Sequence, residues 1–276
     1  MPSAAGNFDG LPEPADLHAR LSREHPLDWG DPLPTTAQIA AKYGDQAAHL
    51  ALSQLNNLDP KVEQATQDLV ASTRPGSTMY QVHHRIKSPQ SMARKLSDRL
   101  GATRKPPVLE DVLRYTVVAD EPDRLVELAR HLVSELQDRG WQLKSVRNSY
   151  VDGSRYKGLH LDTVDAGGRR VEVQLHTPAS IAVKEATTRL YEVERDTRSP
   201  GVERDLARAE CVRLSTALET PRGLDELASL GECRVEVRGY GLGRATDNTN
   251  RNARPQGPVK QRTPEHRKVT RDGMDR

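Results

Sequence analysis

From Trp141 onward the apolar residues of this chain stop recurring every three or four positions and begin to alternate. The stretches WQLKSVRNSYV, RYKGLHLDTV and RRVEVQLHT follow one another between residues 141 and 177, with Ala166-Gly167-Gly168 between the last two. Alternation puts one set of side chains on each face of a strand, and a short Gly-rich link closes a hairpin. Three such segments in succession have to build a sheet, and the rest of the chain has to cover it.

The flanking segments read as helices. Ile39, Tyr43, Ala47 and Leu50 recur at helical spacing in 35–57, and a second helix over 60–73 stops at Pro75-Gly76. Ser88 caps a helix with Pro89 in its first turn, running to about residue 100. Pro122 opens another, with Leu125, Leu128, Leu132 and Leu136 as one stripe and Gly140 as its end. Thr177-Pro178 starts a long helix to about 198, and a further one spans 202–219. There Cys211 shares a face with Ala207, Leu214 and Leu218, which predicts a packed thiol rather than a nucleophile. YQVHHRIK (80–87) reads as a short strand, and 109–119 as a helical turn followed by a buried strand. Residues 232–238 alternate Cys233, Val235 and Val237 against charges, as one more strand or an edge for a partner. The expected fold class is α/β (α+β): a mixed, largely antiparallel sheet flanked by helices.

The division expected is an irregular segment over 1–33, a helical extension over 34–79, a core over 80–198, helices and a strand over 199–240, and a tail over 241–276. The tail carries nine Lys/Arg against four Asp/Glu and almost no large apolar side chains, so it is expected to stay disordered. No run of about 18 apolar residues occurs, and the first residues lack a basic start before an apolar stretch. Neither a membrane span nor a secretory signal is expected. Two cysteines cannot make a disulfide scaffold or a zinc site alone, which fits a cytoplasmic home, in the producing cell or in a target cell after delivery.

Charge is more telling locally than overall. The net charge is +2, yet no acidic residue occurs between Asp68 and Asp98. That interval holds Arg74, Arg85, Lys87, Arg94 and Lys95, and one-sign runs of this kind suit a bound anion. If 85–87 is extended, Arg85 and Lys87 share a face. Ser91 and Lys95 then lie four apart on the helix that Ser88 caps. Cations, a hydroxyl and a helix N-terminus converging in this way make a cradle for polyphosphate, the alternative being a basic surface strand before a capped helix.

Downstream, Asp111 stands just before a buried strand. In RRVEVQLHT the residues Val171, Val173 and Leu175 face one way, and Glu172, Gln174 and His176 the other. Two carboxylates beside a phosphate cradle are what a magnesium–nucleotide complex needs, and one can accept a hydroxyl proton. In RYKGLH, Tyr156 and His160 share a face at even spacing. A tyrosine there is either a base-stacking surface or a cross-strand packing residue.

In order, RxKxxxSxxxK, an Asp before a buried strand, YxxxH, and ExQxHT resemble the synthetase domain of the RelA/SpoT family. The resemblance covers about residues 80–195. It implies a nucleotidyltransferase-like fold and transfer of the β,γ-pyrophosphate of ATP to the 3′-hydroxyl of a purine nucleotide. Carried over residue by residue, it makes Arg85, Lys87, Ser91 and Lys95 the ATP motif, with Arg114 partly standing in for an arginine. It makes Asp111 and Glu172 the Mg²⁺ ligands, with Glu172 activating the acceptor hydroxyl. Tyr156, Lys157, His160 and Gln174 become acceptor-binding residues.

Three departures stand out. DVLRYT replaces the family's DxxGxR, so Arg114 and Thr116 stand where glycine and arginine are usual. YKGLH replaces YQSLH, and Thr188-Arg189 precedes LYE where the toxin-associated branch has a histidine. Apart from Thr188-Arg189, the run YKGLH…VEVQLHTPAS…K…LYE…R looks more like that divergent branch, whose members make other pyrophosphorylated nucleotides, including adenine ones, or modify the 3′ end of tRNA. The partners implied are ATP and GDP, GTP or an adenine nucleotide. A tRNA, an antitoxin, an oligomer and a non-catalytic nucleotide- or RNA-binding module stay open as alternatives. No His-Asp dipeptide occurs, so a metal-dependent hydrolase domain is not expected, and the implied enzyme is synthesis-only.

Overall fold

The computed structural model describes residues 10–58, 62–100, 107–196 and 199–240, and all of these lie in one compact unit. The tail, for which disorder was expected, lies outside the described residues.

Alternation became a sheet as expected. The strands are β1 (Ser77–Tyr80), β2 (Arg114–Ala119), β3 (Gln142–Asn148), β4 (Leu159–Val164), β5 (Arg170–His176), β6 (Ser229–Leu230) and β7 (Cys233–Val237). Among the described residues they line up as β1-β2-β5-β4-β3-β7-β6. The β2/β5 and β3/β7 pairs are parallel, and the other four are antiparallel. The strand at 232–238 therefore completes this chain's own sheet: β7 pairs with β3, with Val146 opposite Val235.

The register sorts the two faces. Tyr115 lies opposite Val173, Val117 opposite Leu175, and Leu161 opposite both Val173 and Val146. This face is buried in a single core with Leu125, Leu128, Leu132 and Leu136 of α6 (Leu125–Asp138). The same core takes residues from α1 (Pro14–Leu21), α2 (Thr36–Tyr43), α3 (Asp45–Asn56), α4 (Val62–Ser72) and α5 (Pro89–Ser97). Opposite it runs a polar row: Arg114 beside Glu172 and then Asp162, and Thr116 beside Gln174, His160 and Arg147. Two helices follow β5, α7 (Pro178–Arg195) and α8 (Gly201–Thr216), and pack against each other.

Several local expectations are corrected. Residues 35–57 are two helices, because Gly44 takes φ 91° between them, a conformation open to glycine and strained for other residues. Pro14–Leu21 is helical inside the segment expected to be irregular. The strand expected at 80–87 is β1, lying earlier, followed by a 3₁₀ turn at Val82–His84. Only Ile86 is bridged from that stretch, to Leu113. No helical turn forms at 109–113. The residues before β4 form a loop rather than strand, so Tyr156 meets His160 from a loop and not along one strand face. Cys211 is buried, as expected, and burial raises its thiol pKa.

Candidate active site

The N-terminus of α5 forms as the sequence predicts. Ser88 Oγ accepts the Ser91 N–H at 3.3 Å and donates to Ser91 Oγ at 3.0 Å, and Pro89 opens the first turn. Backbone bonds clamp this segment to the entry of β2: Lys87 N–H to Val112 C=O at 2.9 Å, and Arg114 N–H to Arg85 C=O at 2.7 Å. The clamp brings Asp111 under the helix start. Lys87 Nζ and Lys95 Nζ both reach Asp111 Oδ2, at 2.8 and 2.7 Å. Burial by itself would raise the Asp111 carboxyl, but the two ammonium groups outweigh it and hold it far below the carboxylate range. Burial lowers Lys87 to about 8.

The polar row of the sheet supplies the second half. Glu172 Oε1 accepts from His160 Nδ1 at 2.9 Å and from Gln174 Nε2 at 3.2 Å. Burial pushes the Glu172 carboxyl up, but His160, Arg114 and Gln174 prevail and bring it to about 2. His160 is 3% exposed, and its Nε2 has no hydrogen-bond partner. The Tyr156 hydroxyl meets His176 Nε2 at 2.6 Å, and its ring lies 5.3 Å from His160 and 5.8 Å from Tyr240. Burial raises the Tyr156 phenol well above its usual value and keeps His176 neutral.

Both halves line one cleft of about 900 Å³, near the upper end of the range usual for ligand sites. Lys87, Ser91, Lys95, Asp111, Arg114, Tyr156, His160, Glu172 and Gln174 all line it, as the sequence reading requires.

Two expected site residues turn their side chains elsewhere, although Arg85 itself borders the cleft. The Arg85 side chain is 1% exposed, and its Nη2 bonds Glu63 Oε1 at 2.7 Å, His25 C=O at 2.8 Å and Leu21 C=O at 3.1 Å. The 3₁₀ turn before it removes the extended geometry that would have put it beside Lys87. Its charge is satisfied inside the protein, so it does not offer its guanidinium to phosphate. Lys157, 5% exposed, gives Nζ to the Leu218 carbonyl at 3.0 Å and caps the chain after α8 instead of facing an acceptor.

Gly158 has a steric reason. A Cβ there would sit 2.8 Å from His176 Cε1. The imidazole cannot yield, because Tyr156 and Ser180 Oγ, at 2.8 Å, hold both its nitrogens. Gly158→Ala is expected to destabilise the fold by about 1–3 kcal/mol, read as a lower thermal midpoint; an unchanged midpoint would show that the ring has room.

Other cleft residues were not among the site residues expected from the sequence. Lys184 of α7 reaches Gln174 Oε1 at 3.4 Å, and burial, with Arg114 adding to it, lowers its ammonium to about 8. Arg147 pairs with Asp162 at 2.9 Å, and its Nε has no partner. Trp29 and Tyr240 close the lining from opposite ends of the described chain. Only the even spacing in β3 hinted at Arg147. The others depend on how α7, the N-terminal segment and the strand after β7 pass the sheet.

Asp111 and Glu172 belong to no ready-made cluster of three metal-ligating side chains among the described residues. The one such group is Asp28, His83 and His84, all exposed. Its two imidazoles suit a softer ion than magnesium. Asp111 and Glu172 offer hard oxygens: both lysines contact Asp111 Oδ2, no bond to Oδ1 is seen among the described residues, and Glu172 stays ionised. That donor set fits Mg²⁺ carried in on phosphate, which takes one or two protein carboxylates.

No protein-family model matches the chain, and no curated protein does. Solved structures do. The Type VI effector Tas1, in complex with its immunity protein, is 20% identical over 62% of this chain and 97% of that one, with a TM-score of 0.35. Small alarmone synthetase 1 from Bacillus subtilis, bound to its product pppGpp, is 16% identical over 57% and 79%, with a TM-score of 0.36. A GTP pyrophosphokinase family protein from Streptococcus pneumoniae is 18% identical over 64% and 89%, with a TM-score of 0.37. At these values the likeness decides nothing about substrate. The structures the chain is similar to include the small alarmone synthetases, the same group that its motif order resembles.

Proposed function

We propose that this protein transfers pyrophosphate from ATP to the 3′-hydroxyl of a purine nucleotide, with magnesium as cofactor. The observation that carries this reading is the pair of lysines closed on Asp111 at the capped N-terminus of α5, in the same cleft as an ionised, buried Glu172. A capped helix start with two ammonium groups favours a polyanion, and carboxylates at that spot are of use only if a cation arrives with it.

Lys87, Lys95, Ser91 and the first N–H groups of α5 take the triphosphate. Asp111 and Glu172 would hold the magnesium, which when bound neutralises charge on the phosphate oxygens. The acceptor lies toward Tyr156 and His160. Its 3′-oxygen forms a bond to the β-phosphorus, the bond from that phosphorus to the α,β-bridging oxygen breaks, and AMP departs with that electron pair. Glu172, at about 2, is too weak a base to store the hydroxyl proton. It orients and polarises the hydroxyl, and the proton passes to solvent water as the P–O bond forms, which suits the loose transition states of such transfers. His160 Nδ1 fixes the carboxylate for this task.

The test is incubation with magnesium, γ-labelled ATP and, in turn, GDP, GTP, ADP, AMP and bulk tRNA. Label on a nucleotide is the expected result and identifies the acceptor. Label on tRNA alone would move the acceptor to RNA, and no label anywhere would leave a nucleotide-binding module.

The cleft has an unusual pH response. Lys87 and Lys184 titrate near about 8 rather than the usual 10.5, so the cleft loses positive charge as pH rises through that value. Binding of inorganic tripolyphosphate is expected to weaken from about pH 7 to about pH 9, well below where ordinary lysines discharge. A flat profile by calorimetry would mean these lysines do not carry the site.

A further inference from the structure

The wall of the cleft beside Lys87 comes from far back in the chain: Asp28, Trp29 and Gly30. Trp29 is half-buried, packed on the hydrophobic core and also part of the cleft lining. Its indole is held from two sides. Nε1 donates to the Ile86 carbonyl at 2.9 Å, one residue before Lys87, and the His18 ring meets it edge-on with centroids 5.4 Å apart.

The backbone carrying it is tied down as well. Asp28 N–H donates to the His83 carbonyl at 2.8 Å. Arg85, diverted from the cleft, spends its guanidinium on the carbonyls of Leu21 and His25 just upstream. A flat indole whose polar edge is satisfied, and whose rotamer is fixed before any ligand arrives, is a stacking surface with little ordering entropy left to lose. Of the cleft's tyrosines, Tyr156 and Tyr240 stand with His160 on the acceptor side, while the Tyr80 ring faces Lys184 and the Tyr191 ring faces Arg155 and Arg195.

We propose that Trp29 is the stacking platform for the purine base of the phosphate donor. This rests on the donor cradle described above and adds the subsite that cradle lacks: Lys87, Lys95 and Ser91 recognise phosphate, and none of them recognises a base. Stacking is tolerant of base identity, so Trp29 supplies affinity for a nucleoside triphosphate over bare phosphate rather than choice between purines.

The test measures two ligands on the full chain by calorimetry, with magnesium: α,β-methylene-ATP, which cannot give up its pyrophosphate, and inorganic tripolyphosphate. Trp29→Ala is expected to weaken the nucleotide about 5–150-fold, the span of base–aromatic stacking, and to leave tripolyphosphate unchanged, which also shows that the cradle is still folded. Trp29→Phe keeps a ring and is expected to retain most of the nucleotide affinity. In the wild type, nucleotide but not tripolyphosphate is expected to quench tryptophan emission. Trp29→Phe removes that signal, since the other tryptophan, Trp141, is buried.

Equal weakening of both ligands by Trp29→Ala would overturn the proposal, because Trp29 would then only prop the cradle. Unchanged binding of both, with labelled transfer intact, would overturn it while the pyrophosphokinase reading stood. Failure of the wild type to bind tripolyphosphate would remove the cradle, and both readings with it.

Discussion

On the proposed reading, Glu172→Gln is expected to lower pyrophosphate transfer by about 10²–10³-fold and to leave the thermal midpoint close to that of the wild type. The substitution keeps the shape and still accepts from His160 Nδ1 and Gln174 through its amide oxygen. It removes the negative charge that, on the proposed reading, would face magnesium and the acceptor hydroxyl. Because the Glu172 carboxyl sits at about 2, the wild-type charge persists throughout the working pH range. Its loss therefore cannot be rescued by raising the pH. Labelled transfer and differential scanning calorimetry on the same preparation decide the matter. Residual turnover within a few-fold of wild type would take Glu172 out of the reaction.

Arg85→Ala has the opposite signature. Removing one partner of a buried ion pair leaves the other charge without compensation, which costs about 3–5 kcal/mol. In a domain of this size that is a fall of roughly 6–20 °C in the thermal midpoint. Glu63 keeps one contact, from His25 Nδ1 at 2.6 Å, but four backbone carbonyls and the carboxylate lose the guanidinium. Lys95→Ala serves as the contrast, since its side chain is partly exposed and Asp111 keeps the Lys87 ammonium, so its removal is expected to weaken phosphate binding with little change in midpoint. A stable Arg85→Ala protein that has lost only ATP affinity would return Arg85 to the phosphate cradle.

These two residues show where reading the chain succeeds and where it stops. Glu172, Gln174 and His176 reach the polar face because a strand alternates. Opposite them His160 and Asp162 come into register because Ala166-Gly167-Gly168 closes a hairpin that permits one pairing. Ser88, Pro89 and Thr177 act within their own first turns, so the starts of α5 and α7 were readable residue by residue. These are short-range matters of period, cap and turn, and they are written in neighbouring residues.

Arg85 follows another logic. Its motif neighbours Lys87, Ser91 and Lys95 lie at the spacing that predicted a cradle, and the fold brings all three to one cleft. The backbone at Arg85, however, takes φ −60° and ψ −31° after a 3₁₀ turn, which aims the side chain at Glu63, 22 positions earlier. Lys157 likewise leaves its motif for a carbonyl 61 residues later. Trp29, Lys184 and Tyr240 enter the cleft only because distant segments pass over the sheet.

Local periodicity thus determined the strands, the caps and the polar face that bears Glu172, since each rests on the geometry of a few consecutive residues. Which cations face the cleft, which are consumed in holding the chain together, and which aromatic rings wall the site were decided by packing. A long side chain goes to the partner that best satisfies it once burial has removed water, and that partner is set by the fold rather than by sequence distance.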